Sequence, residues 1–579
     1  MPDANFSTKN VDDRERSEID REIIKFELAI RQLKCRRNNL APISRLPPEV
    51  LGKVFSFIEN EEWESVSSRP SWIGFSQVSH SWRTVAINTP ELWGELPLWN
   101  LKQAKLMLER SKMADLSIDH ELSHIPTSIS PVVTFLQDVL ANHLSRISRL
   151  RLTCLKPATF SQLFKDCPPS RASRLHTLHF SAFPGLAFLS SPLDPQSTLP
   201  DELFLETERL RHLELSACNI NWDAPLLRNL ESLTVRLNYN RPSLIQFLTA
   251  LRAMPGLKSL KMSHSLPNSN DTLVSSKDTV NLARLHELHL AGTLNEVASV
   301  MVHISIPSAA ALNLDVEDVK EKGRQLSALL SSIAAMEKGS TQPYRSLTWN
   351  IGNLNSLSCN IWRDEAPKDM SHSPGFPSLV IRICDHGLES WDAVTHQLLS
   401  SLPLQKLESL TYSSKDISHG ILSQTLGTLP SLSRIRVSGD GMLTLIKAMF
   451  KTTPQDDMTV PFPALRKIWI QGAMFDENHP QDNRNALEML QDCLMERCEY
   501  GAAIEAIHID QCYSFDASSE ETLQRIVVDV EWDEEELEQE WEDTDEDEDD
   551  DEDGFNYEDD DDYLEDSDEL NFSSYQGFF

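Results

Sequence analysis

The sequence predicts an α/β chain in three parts: a small all-α module near the front, an irregular solenoid of short parallel strands, and a disordered acidic tail. Three observations carry this. A short apolar phrase, L-x-x-L-x-L or a close variant, recurs thirteen times between residues 148 and 509. Two apolar helices marked by prolines precede it, within residues 48–87. Residues 531–569 hold 27 Asp or Glu and no Lys or Arg. With 579 residues there is room for several domains or one long repeat array. We divide the chain into 1–40, 41–98, 99–530 and 531–579.

In the first part Ile19, Ile23, Phe26, Ile30 and Leu33 recur at steps of 4, 3, 4 and 3, the heptad spacing of a coiled-coil or packing helix. Isolated short helices are marginal, so the expectation is that this one lies on the rest of its own chain. In the second part Pro47 and Pro48 suit a first helical turn, where N–H groups have no intrahelical partner, and Glu49 suits the positive end of the dipole. A helix over Pro48–Glu59 follows. It leaves only Gly52, Lys53, Ser56 and Glu59 as a polar stripe, so it is covered from more than one side. Phe75, Val78, Trp82 and Val85 predict a second helix over Trp72–Ile87. A short third helix starts at Pro90 and carries Leu92 and Trp93. Modules this small cannot bury all their apolar surface on themselves.

In the third part the phrases run from SRLRL (148–152) through RLHTLHF, RLRHLEL, NLESLTV, GLKSLKM, RLHELHL, ALNLDV, RSLTWNI, PSLVIRI, KLESLTY, SLSRIRV and ALRKIWI to IEAIHI (504–509). Each predicts one short parallel strand of an irregular leucine-rich-repeat-like solenoid, with neighbours covering one another's apolar faces. Side chains alternate along a strand, so the residue between the last two apolar positions of each phrase faces outward. That outward row runs from Arg151, His179 and Glu214 through Lys261 and His289 to Thr348, Val380, Arg436, Trp469 and His508. His179 and His289, four units apart, are separated by on the order of 19 Å, too far to share a metal. Trp469, with Arg436 and Arg466, is the candidate anchor for a protein substrate.

Other chemistry finds little support. The charge of −36 is mostly tail; the remainder carries only −9. So acidic a chain repels phosphates, which argues against a nucleic-acid partner. Nine scattered cysteines without a CxxC pair read as reduced thiols of the cytoplasm or nucleus. No signal peptide or spanning run appears, so no membrane is expected. His120-Glu121-Leu122-Ser123-His124 matches H-E-x-x-H, but Pro126 follows and no third ligand is placed. We read it as a turn after a strand and expect no metal. No phosphate-binding glycine loop or nucleophile elbow occurs, so no cofactor and no catalytic residue is expected. In the tail, Trp532, Trp541, Phe555, Tyr557 and Tyr563 interleave with charge, and Thr544 would suit an acid-directed kinase; a plain solvated end is the simpler reading.

Residues 43–98 resemble an F-box domain. The resemblance rests on Leu46-Pro47-Pro48-Glu49-Val50-Leu51, Val54-Phe55, Val78-Ser79-His80-Ser81-Trp82-Arg83 and Pro90-Glu91-Leu92-Trp93. With LERSKMADLSID and HLSRISRLRL after it, the layout is similar to that of basidiomycete F-box proteins with degenerate leucine-rich repeats. The segment ENEEWESVSSRPSWIG is longer than the usual connection between the first two helices. The resemblance implies a Skp-family adaptor bound through Leu46, Pro47, Leu51, Phe55, Ile58, Val78 and Trp82, and through it a cullin–RING ubiquitin ligase. The chain would then be a non-catalytic receptor for an unknown protein substrate. The alternative it leaves open is a leucine-rich-repeat interaction scaffold without ubiquitin transfer.

Overall fold

The computed structural model describes residues 5–537 apart from 60–73, 75, 123–130, 156, 165–166, 168–171, 183–197, 201–203, 205, 239, 269–278, 353–355, 365–374, 414–416, 440, 451–459, 477–483 and 536. Three helices lead. α1 spans Asn5–Asn39, α2 Pro48–Glu59 and α3 His80–Asn88, with a 3-10 turn at Pro90–Trp93 after it. The second helix is shorter than Trp72–Ile87. Ser79 takes an extended conformation and its hydroxyl accepts from the Trp82 N–H at 3.1 Å, an N-cap that starts the helix at His80. Phe75 lies outside the described residues, as does most of the long connection before it.

A mixed α/β region follows, built on one large and mostly parallel sheet. Its strands, with a two-stranded companion made by β7 and β9, are β1 (Leu116–Glu121), β2 (Ile147–Leu155), β3 (Thr177–Ala182), β4 (His212–Ser216), β5 (Ser232–Arg236), β6 (Ser259–Ser263), β7 (Val280–Asn281), β8 (Glu287–Thr293), β9 (Ile304–Ser305), β10 (Ala311–Glu317), β11 (Ser346–Gly352), β12 (Ser356–Trp362), β13 (Leu379–Cys384), β14 (Ser409–Ser413), β15 (Arg434–Ser438), β16 (Lys467–Gln471), β17 (Ala506–Asp510) and β18 (Asp529–Trp532). Every one of the thirteen phrases ends on a strand of the large sheet. In six phrases that open on a leucine ahead of the strand, that residue closes a turn beneath it. Leu175, Leu210, Leu257, Leu285, Leu407 and Leu465 each donate to the carbonyl three residues back, closing a tight turn, and each is buried beneath its strand. The phrase thus encodes a turn followed by a period-2 strand.

Burial alternates along these strands, as in Thr177–Ala182, where Leu178, Phe180 and Ala182 are buried and their neighbours half-exposed. A parallel sheet covered on both faces would be apolar throughout, so this one has a packed and an open face. Intervening helices supply the cover: Phe247, Leu248 and Leu251 from Leu244–Arg252, and Leu326, Leu329, Leu330 and Ile333 from Gly323–Glu337, are all buried. One continuous apolar core runs from Leu51 in α2 to Val527 before β18.

Two expectations are corrected. The strands do not follow sequence order throughout, nor are they all parallel. The order is β10-β13-β12-β11-β14, with β12 antiparallel to both neighbours. Short connections permit an antiparallel return, whereas a parallel strand needs a crossover, and only three residues separate Gly352 from Ser356. The boundary expected at 530/531 falls inside β18. Trp532, read as part of the tail, stands edge-on to Phe515 with centroids 5.5 Å apart, and Leu537 bridges to Tyr513. The remaining tail aromatics and Thr544 lie outside the described residues.

Candidate docking surfaces

The two-helix module owes its shape to three close approaches. Phe55 and Trp82 meet with ring centroids 5.3 Å apart, joining α2 to α3. The Trp93 indole donates to Ala86 O at 2.8 Å, and the Arg110 guanidinium lies 4.4 Å over its ring. Gly94 runs so close to the chain before β1 that an added Cβ would sit 2.3 Å from Asp115 O. There Ser117 N donates to Gly94 O at 2.9 Å, so the module is tied directly to the sheet's first edge.

These contacts decide which side of α2 is free. Leu51 and Phe55, expected on the contact surface, are 3% and 1% exposed and belong to the chain's own core. Trp82 is half-buried against Phe55. The Ile58 side chain lies outside the described residues. Leu46, Pro47 and Val78 are exposed, and with them two residues outside the expected contact set: Val50, and Phe57 at 73%. Val50, Val54 and Phe57 are spaced i, i+4, i+7 on one helical face. That face sits one residue, about 100° of helix, away from the expected Leu51/Phe55 stripe. The F-box-like family model matches residues 43–96. The match takes in this whole module, from the turn before α2 to the residue that pairs with β1. No curated protein matches the chain at a significant level.

The open face of the sheet is the second surface. The expected outward residues fall into one register row: Arg151 pairs with His179, His179 with Glu214, Glu214 with Thr234, Thr234 with Lys261, Lys261 with His289, and His289 with Asn313. It continues through Val380, then Asn360 of β12, which sequence reasoning missed, to Thr348, Thr411, Arg436, Trp469, His508 and Glu531. Strands about 4.8 Å apart bring cross-strand charges into pairing range. In the first half basic side chains are matched by carboxylates on neighbouring strands: the His179 ring with Glu214 at 3.1 Å, Lys261 with Glu287 at 2.8 Å, Arg382 with Asp315 at 2.9 Å. The bond from His179 and nearby Arg236 hold the Glu214 carboxyl below its ordinary range. Burial pushes His289 below its ordinary value despite Asp315 beside it.

In the second half the row becomes a stack. The Arg436 guanidinium lies 5.0 Å over the Trp469 ring, Trp469 lies almost parallel to His508 at 4.9 Å, and His508 Nδ1 is 2.8 Å from Glu531. Arg436 also donates to Gln471 at 2.6 Å. The Trp469 Nε1 donor is buried without a hydrogen-bond partner. Arg466 does not join this group. It precedes β16, with parity opposite to Trp469, and its guanidinium pairs with Glu505 at 3.3 Å. Of the three expected anchors, two come together and the third serves a neighbouring loop.

The H-E-x-x-H string is also resolved in part. His120 and Glu121 lie within β1 itself rather than in a turn after it, on alternate sides of a strand and not on one helical face. His124 lies outside the described residues. Among the described residues there is no cluster of three or more potential metal ligands, and no helix is long and apolar enough to cross a membrane.

Proposed function

We propose that the chain is the substrate-receptor subunit of an SCF-type cullin–RING ubiquitin ligase, without a catalytic residue or cofactor of its own. The carrying observation is that the F-box-like match at 43–96 coincides with exposed apolar residues: Leu46, Pro47, Val50 and Phe57 ahead of and along α2, and Val78 just before α3. F-box domains generally bind Skp-family adaptors, and a helix face of this kind suits helix packing against a partner. Fully covering Leu46, Val50, Phe57 and Val78 is worth roughly 6–12 kcal/mol gross. Association costs an estimated 4–15 kcal/mol. Adaptor binding on this face is therefore sensitive to single substitutions.

In this reading the large sheet is an irregular leucine-rich-repeat solenoid whose open face holds a protein substrate around Arg436 and Trp469. Ubiquitin transfer then depends on bringing a substrate lysine near the charged conjugating enzyme, an effect of proximity. Unpaired cysteines fit a reducing compartment, cytoplasm or nucleus. Co-expression with a Skp-family adaptor tests the first half: a stable one-to-one complex supports it and two separate species overturn it. Protein half-lives after loss of the chain test the second. Selective stabilisation of one protein supports a ligase; unchanged half-lives point to a scaffold that recruits the adaptor without ubiquitin transfer.

A further inference from the structure

The described side chains of α1 do not lie on the rest of the chain, contrary to expectation. Ile19, Ile23, Phe26, Ile30 and Leu33 are all at least half exposed, Phe26 at 66%. A seam of this kind is stable only when covered. Its charge pattern says by what. Residues 14–27 mix Glu15, Glu18, Asp20, Glu22 and Glu27 with Arg14, Arg16, Arg21 and Lys25, while residues 28–39 hold Arg31, Lys34, Arg36, Arg37 and no carboxylate. On the heptad the charged positions flanking the seam are Glu15, Asp20, Glu22 and Glu27 in the first stretch and Lys34 and Arg36 in the second.

We propose that α1 pairs with α1 of a second copy of this chain as an antiparallel two-stranded coiled coil centred near Leu28. In that register Ile23 packs on Leu33 of the other copy and Phe26 on its Ile30, each contact occurring twice about a two-fold axis. Ile19 meets the aliphatic stem of Arg37 at each end. Four flanking pairs are then of opposite charge, Asp20 facing Lys34 and Glu22 facing Arg36 of the other copy, each twice, against one like-charge meeting of the two Glu27 side chains at the centre. A parallel pair places Glu15 against Asp20 and Glu22 against Glu27, each twice, and brings no opposite charges together at these flanking positions. Antiparallel pairing also sets the two Asn39 residues about 33 Å apart along the axis. Two large bodies then leave from opposite ends, and neither F-box-like face is occluded by the other copy's body at the same end. The inference does not depend on what those faces bind.

Sedimentation equilibrium of the full chain tests it. A dimer is expected, with Phe26→Glu weakening it at least 100-fold while the main thermal transition stays in place. A monomer at tens of micromolar overturns the proposal. So does a dimer that persists in Phe26→Glu but dissolves in Phe57→Arg, because self-association then runs through the F-box-like face. Orientation is read with a short thiol cross-linker on the full chain carrying Cys35→Ser. In the antiparallel pair two copies of residue 29 lie about 3 Å apart along the axis and two copies of residue 22 about 18 Å. Ala29→Cys should therefore give the 29–29 cross-linked peptide and Glu22→Cys no 22–22 product. Equal cross-linking of the two overturns the orientation.

Discussion

The Phe55 and Trp82 rings meet with centroids 5.3 Å apart at an interplanar angle of 53°, and this contact turns one side of α2 inward and leaves the Val50/Phe57 side outward. Substitutions on the two sides should separate binding from folding. Phe57→Arg should lower adaptor affinity at least 100-fold and leave the melting temperature within about 1 °C, since exposed substitutions usually change stability little. Phe55→Ala should destabilise the module by about 3–5 kcal/mol. Leu51→Arg should act the same way, through the fold rather than the interface. Adaptor titration and thermal melts of the same variants check both; full affinity in a folded Phe57→Arg protein would place the adaptor elsewhere.

Gly94 is fixed by space, not by dihedral freedom. A Cβ there lands 2.3 Å from the Asp115 carbonyl oxygen, a backbone atom that moves only if β1 moves. Gly94→Ala should cost about 1–3 kcal/mol, as overpacking does. Gly256, with nothing within 4 Å of an added Cβ, is the control and should tolerate alanine. Equal denaturation midpoints for the two variants would show that the tie between module and sheet yields freely.

Two carboxylates on the open face should respond to pH with opposite sign. Burial and the neighbouring Asp533 raise the Asp510 carboxyl above its ordinary value of 3.8. An acid with a raised value in the fold opposes folding once ionised, so its contribution worsens as pH rises through that value. Asp510→Asn should raise the melting temperature at pH 7 and lose that advantage below about pH 3.8. Glu214 is lowered from 4.5, chiefly by its bond from His179. It stabilises the fold above that pH and the benefit fades as pH falls through its depressed value, so Glu214→Gln should lower the melting temperature at pH 7 and converge with wild type in stronger acid. Melting curves from pH 2 to 8 check both signs.

Arg497, 1% exposed, donates to Pro461 O at 2.7 Å and Phe462 O at 2.9 Å. It holds a chain segment in which Phe462 adopts the left-handed region at φ 53°. Removing the guanidinium takes the donor from Pro461 O and leaves Phe462 O with only the Leu465 N–H, and each lost bond to the charged group is worth about 1.5–3 kcal/mol. Arg497→Ala should therefore cost about 3–6 kcal/mol in chemical denaturation, and Arg497→Lys should recover only part, because one ammonium does not reproduce the planar fork. Near-wild-type stability in Arg497→Ala would mean that water replaces the side chain.

Much of this architecture was written locally. Helix period, proline at N1 and the turn-plus-strand phrase depend on a few consecutive residues and on backbone geometry alone. That is why α2 was expected within its observed bounds and why thirteen phrases mark thirteen strands. One of the strands that no phrase marks, β12, had a signal too: Leu357, Cys359 and Ile361 alternate, and Gly352-Asn353-Leu354-Asn355 carries turn-type residues between two alternating runs. It lacks the leading leucine because a hairpin needs no buried turn beneath it.

What the sequence determined by itself was period: which stretches wind into helices, which extend into strands, and that strand positions such as His179, Lys261 and Trp469 would share one face. Tertiary structure decided phase and order. α2 is apolar nearly all round, so only its packing on Trp82 chose Leu51 and Phe55 for the core and left Val50 and Phe57 outside. Strand order around β12, and the capture of Arg466 by Glu505, rest on pairings between residues far apart in the chain. A local pattern repeats identically whichever neighbour covers it, so the choice of neighbour is made only when the chain packs.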